Sequence, residues 1–216
     1  MDAPPVDEQD IARLVEHVAA QELVPGNVGV RWGGHMGAII SDAALQPGIS
    51  YQHAVEKRIR TLRESWPEAA TVATFRVHLE EHDIGTVLDW RGKKLAVVQD
   101  IADALHAARL DTAEELEQAF AAEDASTKLA GVRAVKGVGP KTYNYLALLV
   151  GRVDLAAIDM HLRQFARDAG VQACGDRALH AVYIAGAARL GWQPAELDRA
   201  VWLHRTTASR RERCLV

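Results

Sequence analysis

The stretch that most constrains this chain of 216 residues is AVKGVGPKTYNYLALLV, residues 134–150, where Gly137, Gly139 and Pro140 interrupt a pattern that is helical on both sides. Residues 127–134 read as one helix and 141–149 as the next. Glycine can take positive φ and lets another group approach the backbone closely, and a proline near a helix start donates no N–H but fixes φ for helix entry. The result is a helix-hairpin-helix. The amides of Val138, Gly139 and Lys141 are expected at the mouth of the second helix, where unsatisfied N–H groups and the macrodipole attract an anion such as a phosphate. Lys136 adds a positive charge to the turn.

Eighteen residues after Lys141 comes Asp159, heading a further helical pattern over 160–169. With VKGVGPKT and IDMHLR in this order, the chain resembles the helix-hairpin-helix DNA glycosylases of the HhH-GPD superfamily, whose motifs read LPGVGxKTA and VDTHVxR. The resemblance covers about 36–170 in motif order and is strongest over 131–170. Bifunctional members, such as endonuclease III and the oxoguanine glycosylases, use the lysine of the first motif and the aspartate of the second as a catalytic pair. The resemblance therefore implies Lys141 as nucleophile and Asp159 as its carboxylate partner, with Gly137, Val138, Gly139 and Lys136 on the DNA backbone. The expected activity is base excision from DNA coupled to strand cleavage by β-elimination. Two alternatives stand beside it, a non-catalytic helix-hairpin-helix DNA-binding module and a monofunctional glycosylase.

The chemistry suits these residue types. Positive charge develops on the deoxyribose as a base departs, and a carboxylate stabilises it. An amine attacking C1′ gives a Schiff base from which the 3′-phosphate can leave. Desolvation and a positive helix end both favour the neutral, nucleophilic form of a lysine. Helix amides favour an ionised carboxylate at an N-cap.

A second likeness lies upstream. SDAALQPG resembles the SEVMLQQT of adenine-specific glycosylases, in which a Glu protonates the leaving base. It makes Asp42 a candidate general acid and Gln46, four residues on, a candidate base contact or wedge. Departures from the family are Tyr143 for a small alanine, which could line a base pocket, and Met160 for the usual threonine. Two cysteines, Cys174 and Cys214, cannot supply the four thiolates of an iron–sulfur cluster, so the likeness is to cluster-free branches with no cofactor.

Elsewhere apolar residues recur at helical spacing. Asp7 caps a helix running to about residue 21 with Ile11, Leu14, Val15 and Val18 on one face, expected to pack on the C-terminal helices. Further helices are expected over 37–45, from Ser50 to about 66, over 71–81, 83–90 and 91–110, from Asp111 or Thr112 to about 122, and over 175–190 and 194–207. Glycines break the chain over 25–36, where Trp32 reads as a packing anchor. No alternating strand pattern and no repeat occurs, so the fold class is all-α. The resemblance implies a six-helix domain over 36–150, and a second helical domain from 1–35 plus 151–216, with a cleft between. His78 and His82 lie one turn apart, but Leu79 stands where a zinc protease motif needs Glu, and they read as a solvated helix face.

With 49% apolar residues the chain is expected to be globular, and it has neither a secretory leader pattern nor an apolar run of membrane-spanning length. A cytoplasmic, nucleoid-associated location or another intracellular DNA compartment, a monomer, no membrane and a damaged or abasic duplex as partner are the corresponding expectations. The net charge of −4 divides unevenly: residues 127–216 carry 14 Lys+Arg against 7 Asp+Glu, and residues 1–126 carry 11 against 22. That makes the C-terminal part the expected DNA-binding half.

Overall fold

The computed structural model describes residues 6–47 and 51–213, with side chains except at 52, 53 and 208–213. Among the described residues there are thirteen α-helices, two short helical turns and no strand. No helix there is long and apolar enough to cross a membrane. The chain divides into two compact units, residues 29–152 and residues 1–28 with 153–216.

The unit 29–152 is built around α2 (Met36–Leu45), every residue of which is buried. Its sequence, MGAIISDAAL, carries one charge, Asp42, and so offers no face for water. Helices α3 (Glu56–Ser65), α4 (Val72–Glu81), α6 (Lys94–Ala107) and α10 (Pro140–Leu149) all pack on it. Ile39, Ile40 and Leu45 are fully enclosed, each contributing about 2 kcal/mol by removal from water. Gly37 permits the approach of α4, since a Cβ there would lie 2.7 Å from Phe75 Cδ2 and 3.0 Å from the Ala69 carbonyl.

Both ends of α2 are tied by side chains. At the N-terminus His35 Nδ1 accepts from the Ala38 amide at 3.1 Å while Nε2 donates to the Trp66 carbonyl at 2.9 Å, which fixes the tautomer. Burial lowers the pKa of His35 and favours this neutral form. At the C-terminus the Lys94 ammonium donates to the carbonyls of Leu45, at 2.6 Å, and Pro47, a cation placed at the negative end of the helix dipole. A π-type turn, Tyr51–Val55, leads into α3; Ser50, the expected cap, lies outside the described residues. Thr71 caps α4, and Thr112 with Glu115 forms a capping box for α7 (Ala113–Ala121). Asp83 caps the short α5 (Ile84–Val87). The expected helix over 127–134 is instead two pieces, α8 (Ala125–Lys128) and α9 (Ala130–Ala134). The break falls at the fully buried Leu129, whose φ of −100° and ψ of 15° leave the helical region.

The other unit packs α1 (Glu8–Ala20) on α12 (Asp176–Leu190), and both α11 (Met160–Asp168) and α12 on α13 (Pro194–Arg213). Leu14, Val18, Leu162, Phe165, Tyr183 and Val201 form its core. Asp7 caps α1. The buried Asp10 accepts from the Gln172 amide at 2.8 Å, and Glu8 pairs with Arg189.

That packing revises the charge argument. The acidic N-terminal segment folds with the basic C-terminal one, so the unit 1–28 plus 153–216 holds 10 Lys+Arg and 13 Asp+Glu, and 29–152 holds 15 and 16. A division visible along the sequence is absent between the units. Residues 29–35, assigned by sequence to the terminal domain, belong with 29–152, where Trp32 reaches Asp42.

Candidate functional site

Asp42 is fully buried and accepts three hydrogen bonds from side chains. Trp32 Nε1 donates to Oδ2 at 2.8 Å, Tyr51 Oη to Oδ2 at 3.0 Å and Tyr145 Oη to Oδ1 at 3.2 Å. Desolvation pushes the carboxyl up to about 6, against the three donated hydrogen bonds and the nearby Arg31 guanidinium, which favour the charge. Arg31 also bonds Tyr51. The phenols of Tyr51 and Tyr145 are raised well above the ordinary tyrosine range, first by burial and then by the charge of Asp42, so both serve as O–H donors. Trp32 is held at φ 56°, ψ 18°. A left-handed backbone costs a bulky residue roughly 1–2 kcal/mol, and the indole hydrogen bond to Asp42 offsets it. Trp32 is thus a polar partner as well as a packing residue. With no exposed surface and three donors around it, Asp42 lacks the open edge that a general acid needs to touch a base.

Tyr145 connects this cluster to the hairpin. The turn runs Val135 to Val138, closed by the Val138 amide donating to the Val135 carbonyl at 3.0 Å, with Gly137 at φ 107°. This is a type II turn, which requires positive φ at its third residue, and Gly137 is there for that reason. Two expectations change. The Val138 amide is engaged by the turn. Gly139, at φ −92°, ψ 179°, is ordinary extended backbone serving as N-cap of α10, and a Cβ there would meet nothing within 4 Å. Lys136, Gly137, Gly139 and Pro140 are all exposed.

Within α10, Lys141 and Tyr145 are one turn apart and share a face. The Lys141 ammonium is buried and lies 4.7 Å from the centroid of the Tyr145 ring. Tyr143, two residues from each, faces the other way, edge-on to Phe120 at 5.1 Å and beneath the Arg133 guanidinium at 5.4 Å. The structure therefore pairs Lys141 with Tyr145 and leaves Tyr143 in a packing contact. Gln46 closes α2, its amide donating to the Asp42 carbonyl at 3.0 Å, and its Oε1 is buried.

Asp159 caps α11, Oδ1 accepting from the His161 amide at 2.8 Å and the Leu162 amide at 3.0 Å. It belongs to the unit of the two termini, whereas Lys141 belongs to 29–152. Arg163, in the same motif, makes a two-point ion pair with Asp176, one contact at 2.9 Å. His161 lies edge-on to Trp202 at 6.5 Å. His78 stacks on Trp66 at 5.1 Å, and His82 ends α4 as its C-cap; aromatic packing, not solvation alone, accounts for the pair.

Arg31, Tyr51 and Tyr145 are the members of the site that sequence reasoning missed. For Tyr145 the signal was its i,i+4 spacing from Lys141 on α10; Arg31 and Tyr51 had none.

No curated protein and no solved structure matches the chain. Residues 54–206, which include Lys141, Tyr145 and Asp159 and exclude Trp32, Asp42 and Tyr51, match the model of a family described as Domain of unknown function (DUF8548), and the chain belongs to that family.

Proposed function

We propose that this protein is a DNA N-glycosylase with associated β-elimination lyase activity, acting on a duplex that contains a damaged base or an abasic site, with Lys141 as nucleophile and Asp159 assisting. The observation that carries this reading is the buried Lys141 side-chain nitrogen in the first turn of α10, directly behind an exposed glycine turn. A hairpin that only gripped phosphate would gain most from a solvated lysine reaching outward. An amine sequestered against an aromatic ring is suited to covalent chemistry on a flipped-out nucleotide. The Asp159 cap, 18 residues after Lys141, supports the same reading through its likeness to the second family motif.

In the proposed reaction the neutral Lys141 amine attacks C1′, the N-glycosidic bond breaks with its electron pair leaving on the base, and the Asp159 carboxylate stabilises charge on the sugar. The attached amine then loses a proton as the C1′–O4′ bond breaks with its electron pair leaving on O4′, which takes up a proton. The open-chain C1′ imine formed acidifies C2′, and loss of a C2′ proton breaks the C3′–O bond and expels the 3′-phosphate.

The test is reductive trapping. Incubation with an abasic-site duplex and borohydride should leave a protein–DNA adduct that survives denaturation, and Lys141→Gln should abolish it while the protein remains folded. An adduct at full yield in Lys141→Gln would place the nucleophile elsewhere. No adduct from the unmodified protein, on abasic or damaged duplexes, would reject the lyase in favour of the binding module or a monofunctional enzyme.

A further inference from the structure

We infer that Tyr145 is the positioning residue for Lys141: its ring is the seat on which the amine rests, and its hydroxyl is moored to the buried carboxylate of Asp42. This rests on the reading of Lys141 as the nucleophile.

Three observations meet here. The Lys141 nitrogen lies 4.7 Å from the ring centroid, so the ring bounds one side of its position; the attraction of the ring face for the charged form is given up when the amine reacts as the free base. The same ring is fixed at its far end by the 3.2 Å bond from its hydroxyl to Asp42 Oδ1. Asp42 cannot itself shift, because α2 is buried on every side and Trp32 and Tyr51 hold the other carboxylate oxygen. Each link removes one freedom from the next: the backbone of α2 fixes Asp42, Asp42 fixes the tilt of the phenol, and the phenol fixes a four-carbon side chain that otherwise samples many rotamers.

A purely structural reading accounts less well for the arrangement. Contact between α2 and α10 needs only apolar side chains, and a buried carboxylate ringed by hydroxyls and an indole adds desolvation cost to a core that leucines would fill. The left-handed Trp32 backbone adds strain in the same place. The outlay is intelligible if the ring must sit in one orientation, because a nucleophile displaced by about 1 Å loses on the order of 100-fold in rate.

Two variants and two readouts test this. Tyr145→Phe keeps the ring and cuts only the bond to Asp42; Tyr145→Leu removes the ring. With an abasic duplex at saturating protein and borohydride present, the trapping rate should fall about 100-fold in Tyr145→Leu and by an intermediate factor in Tyr145→Phe, while duplex affinity stays within about twofold. The second readout needs no DNA. Reductive alkylation with a small aldehyde and cyanoborohydride, followed by peptide mass spectrometry, compares Lys141 with the exposed Lys136. The Lys141 to Lys136 labelling ratio should rise severalfold in Tyr145→Leu and less in Tyr145→Phe, as the amine leaves its seat.

If the unmodified protein forms no adduct, the lyase reading fails, and the labelling ratio still decides the seat. A ratio unchanged in both variants overturns the inference. So do equal trapping rates in all three proteins. Should Tyr145→Leu fail to fold, the volume-conserving Tyr145→Phe carries both comparisons.

Discussion

The Tyr145 hydroxyl donates to Asp42 across 103 residues of chain, joining the hairpin helix to the most deeply buried helix of its unit. The bond places a titratable carboxyl where its charge state is felt by two phenols, an indole and a guanidinium together. The consequences of that placement can be measured without knowing the substrate.

Burial raises the Asp42 carboxyl to about 6 from an ordinary 3.8, so the native state binds this proton more tightly than the unfolded chain does. The associated stability is fully present below about pH 4 and is lost as pH rises through about 6, amounting to roughly 3 kcal/mol. Asp42→Asn cannot titrate. The difference in unfolding free energy, wild type minus Asp42→Asn, should therefore fall between pH 4 and 7 in denaturant titrations. Parallel curves would show that the carboxyl titrates as an exposed one does.

His35 has the opposite sign. Its pKa is lowered in the fold, so its contribution is complete above the ordinary value of 6.5 and is lost as pH falls through the lower folded value. In the native tautomer it accepts from Ala38 and donates to Trp66, linking the start of α2 to the end of α3. His35→Ala removes a cap and one of the two hydrogen bonds on the Trp66 carbonyl, which keeps the Ala69 amide, and should cost about 1–2 kcal/mol at pH 7.5. His35→Asn should recover part of the loss by capping alone. Equal stability of Ala and Asn variants at that pH would mean the cap contributes nothing.

Local rules read along the chain located much of this fold. Asp7 and Asp159 cap helices as expected, and Thr71, Asp83 and Thr112 cap helices expected to start there, because a cap needs one side chain and amides two or three residues away. Gly137 was legible for the same reason. The site was legible only in part. Asp42 and Lys141 stood out through motifs, but Trp32, Tyr51 and Tyr145 become its partners through tertiary packing, and no period in the sequence brings position 145 to position 42. Tyr143 drew attention as the departure from a family pattern, while the residue that meets Lys141 is Tyr145, because a helix returns to the same face after four residues and not after two. Charge misled for a related reason: position along the chain is not position in space, and α1 returns to pack on α12.

Asp159→Asn and Asp159→Ala separate capping from chemistry. Asn caps nearly as well as Asp, so its variant should unfold within about 0.5 kcal/mol of wild type, whereas Ala should cost about 1 kcal/mol. If the carboxylate assists departure of the base, both should lose excision in single-turnover assays by far more than they lose duplex affinity. Excision that tracks stability, with Asn near wild type, would reduce Asp159 to a helix cap.

The two hairpin glycines should behave differently, and the difference tests whether the turn meets DNA. At Gly137 the backbone is at φ 107° and a Cβ would lie 3.0 Å from Val97 Cγ2. Gly137→Val should therefore destabilise the protein by about 1–3 kcal/mol, since a β-branched residue tolerates positive φ poorly. Gly139 is extended, and a side chain there points into open space, so Gly139→Val should unfold like wild type. If that open space receives a DNA phosphate, Gly139→Val should nonetheless weaken binding to every duplex sequence alike. Wild-type affinity, for its part, should fall steeply between 50 and about 200 mM salt as counterions are released by phosphate contacts. Fluorescence anisotropy on two unrelated duplexes, with denaturant melts of the same preparations, gives both readings. A Gly139→Val protein of normal stability and undiminished affinity would remove the turn from the DNA interface, and would leave the buried Lys141 without an exposed phosphate grip beside it.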